Sequence, residues 1–392
     1  MPSGTGRLQD RPAGYPGEMS LVASSMSKEP LSTLAQSFAY CVPVKIGDDW
    51  TISEPAAVGL DVKELCGVVD YLDGLHQSNI HGILVARRGA LVFEHYRKGA
   101  DDHWGSPLPD AVHGPQTRHD LRSATKSVTG LLIGIACDRQ LISSLDKPVF
   151  AYFPEYADLR TPEKDRILLR HLLTMSAGLE WDENVSLADA RHGEARMWRS
   201  GDRLRTALEP RLVAAPGLDW NYSGGCTELL GAVLCKAAGK AIDEFARETL
   251  FEPLGIEDVE WAHYDNSPAA SGGLCMRPRD LAKIGQLILN RGQWDTRQII
   301  SAEWIDNSIA PHIGASDRLY FYGYQWWRGR SLVRGREVVW ASAVGYGGQR
   351  LFVIPALELV VVVTAGHYGD LMQAWLPLVI LNRYVLPAVD RS

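Results

Sequence analysis

Apolar residues at Val62, Leu65, Val68, Val69, Leu72 and Leu75 follow the three-and-four spacing of one helix face, which predicts an amphipathic helix over 62–76. Ile83-Leu84-Val85-Ala86 and Ala90-Leu91-Val92-Phe93-Glu94-His95-Tyr96 flank Arg87-Arg88-Gly89, so two strands joined by a short turn are expected there. Three further strand patterns lie far downstream, at 337–342, 350–354 and 357–364, and an apolar helix is expected over 376–385. Between these ends, Val128, Leu131, Leu132, Ile135 and Ala136 form a wide apolar stripe within 124–138, which predicts a buried central helix. A further helix is expected from about Thr227 to Ala238. Strands at both ends with helical, Pro- and Gly-punctuated sequence between them predict an α/β (α+β) fold. Its antiparallel sheet would be built from both termini and flanked by helices, with a mainly helical insert at about 105–315.

The first 48 residues are rich in Gly, Pro and Ser and read as an N-terminal extension to a single catalytic domain over 49–392. Leu21-Val22-Ala23 runs at once into Ser24-Ser25-Met26-Ser27-Lys28, so no signal peptide is expected and the chain is read as cytoplasmic. The longest apolar runs are strand-length, which excludes a membrane span of ~20 residues. Lys plus Arg total 40 against 47 Asp plus Glu, a net charge of −7 without long single-sign runs. That balance argues against a nucleic-acid partner. The cysteines at 41, 66, 137, 226, 235 and 275 form no C-x-x-C pair and read as reduced buried thiols. The eleven histidines are scattered along the chain and are read as structural, and neither metal nor cofactor is expected. Tryptophan (12) outnumbers phenylalanine (8), which suggests amphipathic walls around a pocket.

The chain lacks G-x-S-x-G, H-E-x-x-H, a Walker A loop and G-x-G-x-x-G, which weakens the corresponding hydrolase, metalloprotease, NTPase and dinucleotide readings. It holds three S-x-x-K tetrapeptides, beginning at Ser25, Ser123 and Ser144. Only Ser123-Ala124-Thr125-Lys126 opens a helix whose body is apolar, so only there would a hydroxyl and an amine share one desolvated helix face. On its residues alone, Ser123 reads either as a nucleophile or as a helix cap. Downstream, the segment Pro216-Gly217-Leu218-Asp219-Trp220-Asn221-Tyr222-Ser223-Gly224-Gly225 precedes a helix. Gly345-Tyr346-Gly347-Gly348-Gln349 turns into a strand whose backbone N–H groups would be open to a substrate.

With His171 to Leu179, Gly272-Gly273-Leu274 and Arg279 to Gly285, these pieces make the chain resemble the serine β-lactamase and penicillin-binding superfamily. The resemblance is to its class C-like branch, which includes family VIII carboxylesterases and 6-aminohexanoate-dimer hydrolases. It covers roughly residues 80–370. It implies Ser123 as nucleophile, Lys126 as its partner, Tyr222 as the proton-relaying phenol, and an oxyanion hole formed by the Ser123 and Tyr346 N–H groups. Whether Lys126 or Tyr222 takes the serine proton is left open.

Two departures bear on substrate. The family's Tyr-x-Asn motif reads Tyr222-Ser223-Gly224, and its Lys-Thr-Gly box reads Tyr346-Gly347-Gly348. Without that Lys, β-lactam carboxylates lose their counter-charge, and Arg350 nearby is expected to face outward from its strand. The expected activity is therefore that of a serine hydrolase on short-chain esters. Alternatives are small linear amides, weak β-lactam turnover, or a catalytically silent binding protein. Trp181, Gly224, Trp326, Trp327, Gly347 and Gly348 are expected to line the substrate site. The expected partner is a small-molecule ester or amide, and oligomeric state, a homodimer included, is not decided by the sequence.

Overall fold

The computed structural model describes residues 41–264, 267–315 and 319–389. Most of the expected N-terminal extension, residues 1–40, lies outside the described residues. Nine strands form one sheet: β1 (Thr51–Ile52), β2 (Ile80–Arg87), β3 (Ala90–Tyr96), β4 (Ile313–Ala315), β5 (Tyr320–Tyr322), β6 (Trp327–Val333), β7 (Arg336–Gly345), β8 (Gln349–Ile354) and β9 (Leu359–Ala365). Their spatial order is β1-β3-β2-β9-β8-β7-β6-β5-β4. The early and late strands of the sheet therefore meet at the β2–β9 pair, antiparallel with Val361 opposite Val85. Every neighbour is antiparallel except β1 on β3, where Thr51 pairs with Ala90 in parallel. All seven residues of β9 and all eight of β2 are buried. Strands covered on both faces read as continuous apolar runs, which is why these two were plain in the sequence.

The apolar stripes place the helices as expected, with shifts at the ends. Helix α1 (Val62–Asp73) starts on the side chain of Asp61, which accepts the Glu64 N–H. Helix α2 (Thr125–Asp138) is buried from Thr125 to Ala136, so the central-helix expectation holds. Helix α3 (Gly224–Ala238) begins three residues before the expected Thr227, because the Ser223 hydroxyl caps it by accepting from Cys226 N–H. The strand expected from residue 357 begins at Leu359, since Pro355–Leu357 forms a helical turn closed by Glu358 in the left-handed region. Helix α4 (Pro278–Leu289) packs on β8 and β9.

The Arg279 to Gly285 stretch proves to be scaffold. The Arg279 guanidinium, 1 % exposed, donates to Glu94 Oε2 at 2.9 Å, to Asp48 Oδ2 at 3.0 Å and to the Val44 carbonyl at 2.7 Å. A buried guanidinium is tolerable only when its donors are met in this way.

The C-terminal helix α5 (Met372–Val379) starts earlier than expected and carries Pro377. Proline has no N–H to return to the Gln373 carbonyl one turn back. Arg350 Nη2 takes that carbonyl instead, at 3.1 Å. Arg350 Nη1 donates to the Gln349 carbonyl at 2.9 Å, and burial pushes the guanidinium down to about 10. The expectation that Arg350 faces outward is thus corrected: it braces the β7–β8 turn. Among the described residues no helix is long and apolar enough to cross a membrane.

Candidate active site

Ser123 sits in the turn Arg122–Ala124 that feeds α2. Arg122 adopts φ 49°, a left-handed conformation that costs a non-glycine residue on the order of 1 kcal/mol. Asp120 holds it there, accepting the Arg122 N–H at 2.9 Å and facing its Nε at 3.1 Å. The end of β7 presses on this turn from the sheet side. A Cβ on Gly345 would lie 2.2 Å from the Leu121 carbonyl oxygen, so only glycine permits the approach. Tyr346 is the first residue past the strand, next to this close approach.

Lys126, one turn along α2 and 1 % exposed, donates to Ser123 Oγ at 2.9 Å and to the Ser271 carbonyl at 2.8 Å. Its third neighbour is Glu194 Oε1 at 3.6 Å. A carbonyl only accepts, so the Lys126 nitrogen is a donor in this arrangement. Burial alone would push the ammonium down, but Tyr222, Glu194, Glu183 and Glu228 together outweigh it and the net direction is up. Since the Ser123 oxygen accepts from Lys126, its own proton is free to point elsewhere, and the Ser123 hydroxyl favours the charged form of the Tyr222 phenol. Burial raises the Tyr222 phenol, and the Lys126 charge opposes that rise. The Lys126 nitrogen lies 5.1 Å from the Tyr222 ring centre.

Two of the motifs build the support for Tyr222. The Gly217 N–H donates to the Ser176 carbonyl at 2.7 Å and the Asn221 N–H to the Met175 carbonyl at 2.8 Å. Asn221 Nδ2 adds a bond to the Trp181 carbonyl at 2.9 Å. The His171 to Leu179 stretch therefore positions the Tyr222 segment rather than contributing chemistry.

Three acidic residues near Lys126 had no signal in the sequence. Glu183 Oε1 accepts the Gly224 N–H and the Trp181 indole N–H, both at 2.6 Å. Burial first, then the neighbouring Glu194, pushes the Glu183 carboxyl up to about 7. Glu228, also raised by burial, accepts the Ser271 N–H at 2.7 Å and faces Arg203 at 3.3 Å. Glu183 comes from a loop and Glu194 from the first turn of the short helix Gly193–Arg199, so no long period marks them.

These carboxylates change the expected substrate lining. A Cβ on Gly224 would lie 2.8 Å from Glu194 Oε1 and 3.2 Å from Glu183 Oε1. The space a side chain would fill at that position is taken by two glutamates, and Gly224 is buried beneath them. Trp181, 7 % exposed, donates to Glu183 and lines a separate cavity with Glu180, Arg191, Arg196 and Pro210. Trp326 has no exposed surface at all, because successive side chains at the start of β6 point to opposite faces. Its neighbour Trp327 is half-buried and lies 5.8 Å from the Tyr222 ring and 5.3 Å from Trp220, which is itself 6.1 Å from Tyr222. Trp327 and Trp220, not Trp181 and Trp326, are the indoles beside Tyr222. The Gly347 N–H is engaged by Gln373 Oε1 at 2.9 Å, and Gly347, at φ 89°, packs under Tyr368.

Residues 73–372 match the β-lactamase protein family. The chain belongs to the β-lactamase family. It is a serine hydrolase of that superfamily. It is 24% identical over 309 residues to the 6-aminohexanoate-dimer hydrolase of Paenarthrobacter ureafaciens, covering 74% of this chain and 73% of that one. Among solved structures, a Bacillus anthracis protein provisionally described as a 6-aminohexanoate-dimer hydrolase superposes with a TM-score of 0.66 at 20% identity, over 90% of this chain and 92% of that one. A family VIII carboxylesterase superposes with a TM-score of 0.62 at 16% identity, over 84% of this chain and 99% of that one. At such identities the structural likeness carries the fold alone. That fold, a large antiparallel sheet with helices, is the one expected from the strand and helix pattern.

Proposed function

We propose that this β-lactamase-family hydrolase cleaves short-chain carboxylic esters through an acyl-enzyme on Ser123, with Tyr222 as the base and Lys126 as a fixed cation. The observation that carries this reading is the donation from Lys126 to both Ser123 Oγ and the Ser271 carbonyl amid three carboxylates. An ammonium so surrounded has no lone pair to offer, so the serine proton goes to Tyr222. In the first step the Ser123 oxygen bonds to the ester carbonyl carbon while Tyr222, in its phenolate form beside the Lys126 cation, takes its proton, and the Ser123 and Tyr346 N–H groups hold the oxyanion. The carbon–oxygen bond to the alcohol then breaks, with Tyr222 returning the proton to the leaving oxygen. Water enters by the same route in reverse roles, freeing the acid and Ser123.

Substrate charge follows from the same residues. Glu183, Glu194 and Glu228 crowd one side of the site and Arg350 is tied to backbone carbonyls, so the site favours neutral acyl groups over carboxylate-bearing β-lactams. An ester releases its alcohol with less proton assistance than an amide releases its amine. A linear amide is the second reading, favoured by the 6-aminohexanoate-dimer hydrolase similarity over 74% of the chain. Side-by-side rates on p-nitrophenyl acetate, p-nitrophenyl butyrate, nitrocefin and a linear amide test the choice. The esters are expected to turn over fastest and Ser123→Ala to lose all activities, while nitrocefin exceeding the esters would overturn the charge argument.

A further inference from the structure

Three of the scattered histidines converge far from one another in sequence. His81 lies within β2, Asp101 in the strand Gly99–His103, His113 past the strand Ser106–Ala111, and His119 in the short strand His119–Asp120. One ligand atom from each falls within 4.8 Å of all the others. Asp101 Oδ2 is 3.5 Å from His119 Nε2, 3.9 Å from His113 Nε2 and 4.0 Å from His81 Nδ1. Donors around a tetrahedral zinc ion, with bonds of 2.0–2.1 Å, lie about 3.3 Å apart.

The hydrogen bonds behind these atoms decide where the protons are. His81 Nε2 faces the Ala100 carbonyl at 3.1 Å and Asn79 Oδ1 at 3.1 Å, so it carries the ring proton. The Asn79 amide is oriented by Nδ2 donating to the Ala100 and Gly366 carbonyls, which leaves no ambiguity about its oxygen. His119 Nδ1 faces the Asp120 carbonyl at 3.0 Å and carries its ring's proton likewise. In the neutral rings His81 Nδ1 and His119 Nε2 are then both bare lone pairs, aimed at each other 2.8 Å apart. Two lone pairs at that distance repel unless a cation lies between them. His113 Nε2 is buried and has no hydrogen-bond partner among the described residues, and its ring stacks on His81 at 3.9 Å. His81 and His119 are 0 % and 2 % exposed, so water does not screen the contact.

We infer that His81 Nδ1, His113 Nε2, His119 Nε2 and Asp101 Oδ2 form a closed four-ligand site for a structural divalent cation, zinc by ligand type. Three imidazoles and one carboxylate suit zinc, and four protein ligands leave no open position for chemistry. The carbonyls of Ala100 and Asp120 act as outer partners that fix the two tautomers, and the Tyr368 hydroxyl donates to Asp101 Oδ1 at 2.9 Å. Binding rotates His113 off the His81 stack so that its lone pair meets the ion. Tyr368 also lies with its ring tilted 41° to that of Tyr346 at 5.6 Å and covers Gly347, so the ion would anchor the β7–β8 turn that carries Tyr346.

The test is metal content followed by cobalt substitution in the full-length protein. After dialysis against a strong chelator, the wild type is expected to take up one equivalent of Zn2+ with a rise in Tm, and one of Co2+ with the intense visible bands of four-coordinate cobalt. His113 is at the rim of the cluster, so His113→Ala is expected to fold, as circular dichroism would verify, and to bind at least tenfold more weakly. Asp101→Asn and His119→Ala are expected to lose the cobalt bands. Wild-type uptake below a tenth of an equivalent, or unchanged binding by His113→Ala and Asp101→Asn, would overturn the site and leave a shared proton between His81 and His119. None of these readouts depends on hydrolysis, so failure here leaves the Ser123 reading untouched.

Discussion

At the scale of single residues, the division of labour among Ser123, Lys126 and Tyr222 rests on which atoms donate. Tyr222→Phe keeps the ring packing against Trp327 but removes the proton acceptor, so kcat is expected to fall by about 10²–10⁴ with folding unchanged, read by steady-state kinetics and thermal melts. Lys126→Ala leaves Glu194 and Glu183 without their cation and is expected to lose both activity and stability. Because Tyr222 acts unprotonated, kcat/KM is expected to rise with pH on its acid limb; a profile flat from pH 6 to 9 would contradict the assignment.

Glu183 makes a separate claim. Its folded value of about 7 lies above the ordinary 4.5, so the folded chain holds a proton there that the unfolded chain has released. That contribution favours folding at low pH and is lost as the pH rises through about 7. Glu183→Gln keeps an acceptor for Gly224 and Trp181 and is expected to flatten stability between pH 5 and 8. The gain over wild type at pH 8 is expected to be on the order of 1–3 kcal/mol by denaturant melts. An equal pH slope in both proteins would show that Glu183 does not carry this proton.

At the scale of elements, the legible part of the sequence was its periodicity and its turn residues. The hairpin 80–96, the buried helix α2 and the strands β7 to β9 announced themselves because their burial is regular along the chain. Glu183 and Glu194 did not, since a loop residue and the first turn of the seven-residue helix Gly193–Arg199, brought to a site by tertiary packing, leave no local period. Trp326 and Trp327 show the limit from the other direction: adjacent in sequence and identical in kind, they end on opposite faces, and only the strand's register decides which meets Tyr222. The β7 end offers a test at this scale. Gly345→Ala would drive a methyl into the Leu121 carbonyl and push the strand from the Ser123 turn. A stability loss of about 1–3 kcal/mol and a larger loss of kcat than of substrate affinity are expected. Unchanged kinetics would mean that Tyr346 does not depend on this contact.

At the scale of the whole molecule, early and late strands pair at β2 and β9, while the turn Arg122–Ala124 and the buried helix α2 carry Ser123 and Lys126 beside the end of β7. Motifs separated by more than two hundred residues, from Ser123 to Gly345, thereby close on one another, and the family match over 73–372 spans both. Composition hinted at a tryptophan-lined pocket, and packing sharpens that to Trp220 and Trp327 around Tyr222. The histidines carried no spacing signal because β2, a hairpin and a short strand bring them together. The central claim is the covalent intermediate. Wild-type enzyme quenched during turnover of p-nitrophenyl butyrate, then digested and mapped by mass spectrometry, is expected to carry a butyryl group on the peptide containing Ser123, absent from Ser123→Ala. An acyl group on any other residue, or equal labelling of Ser123→Ala, would contradict it.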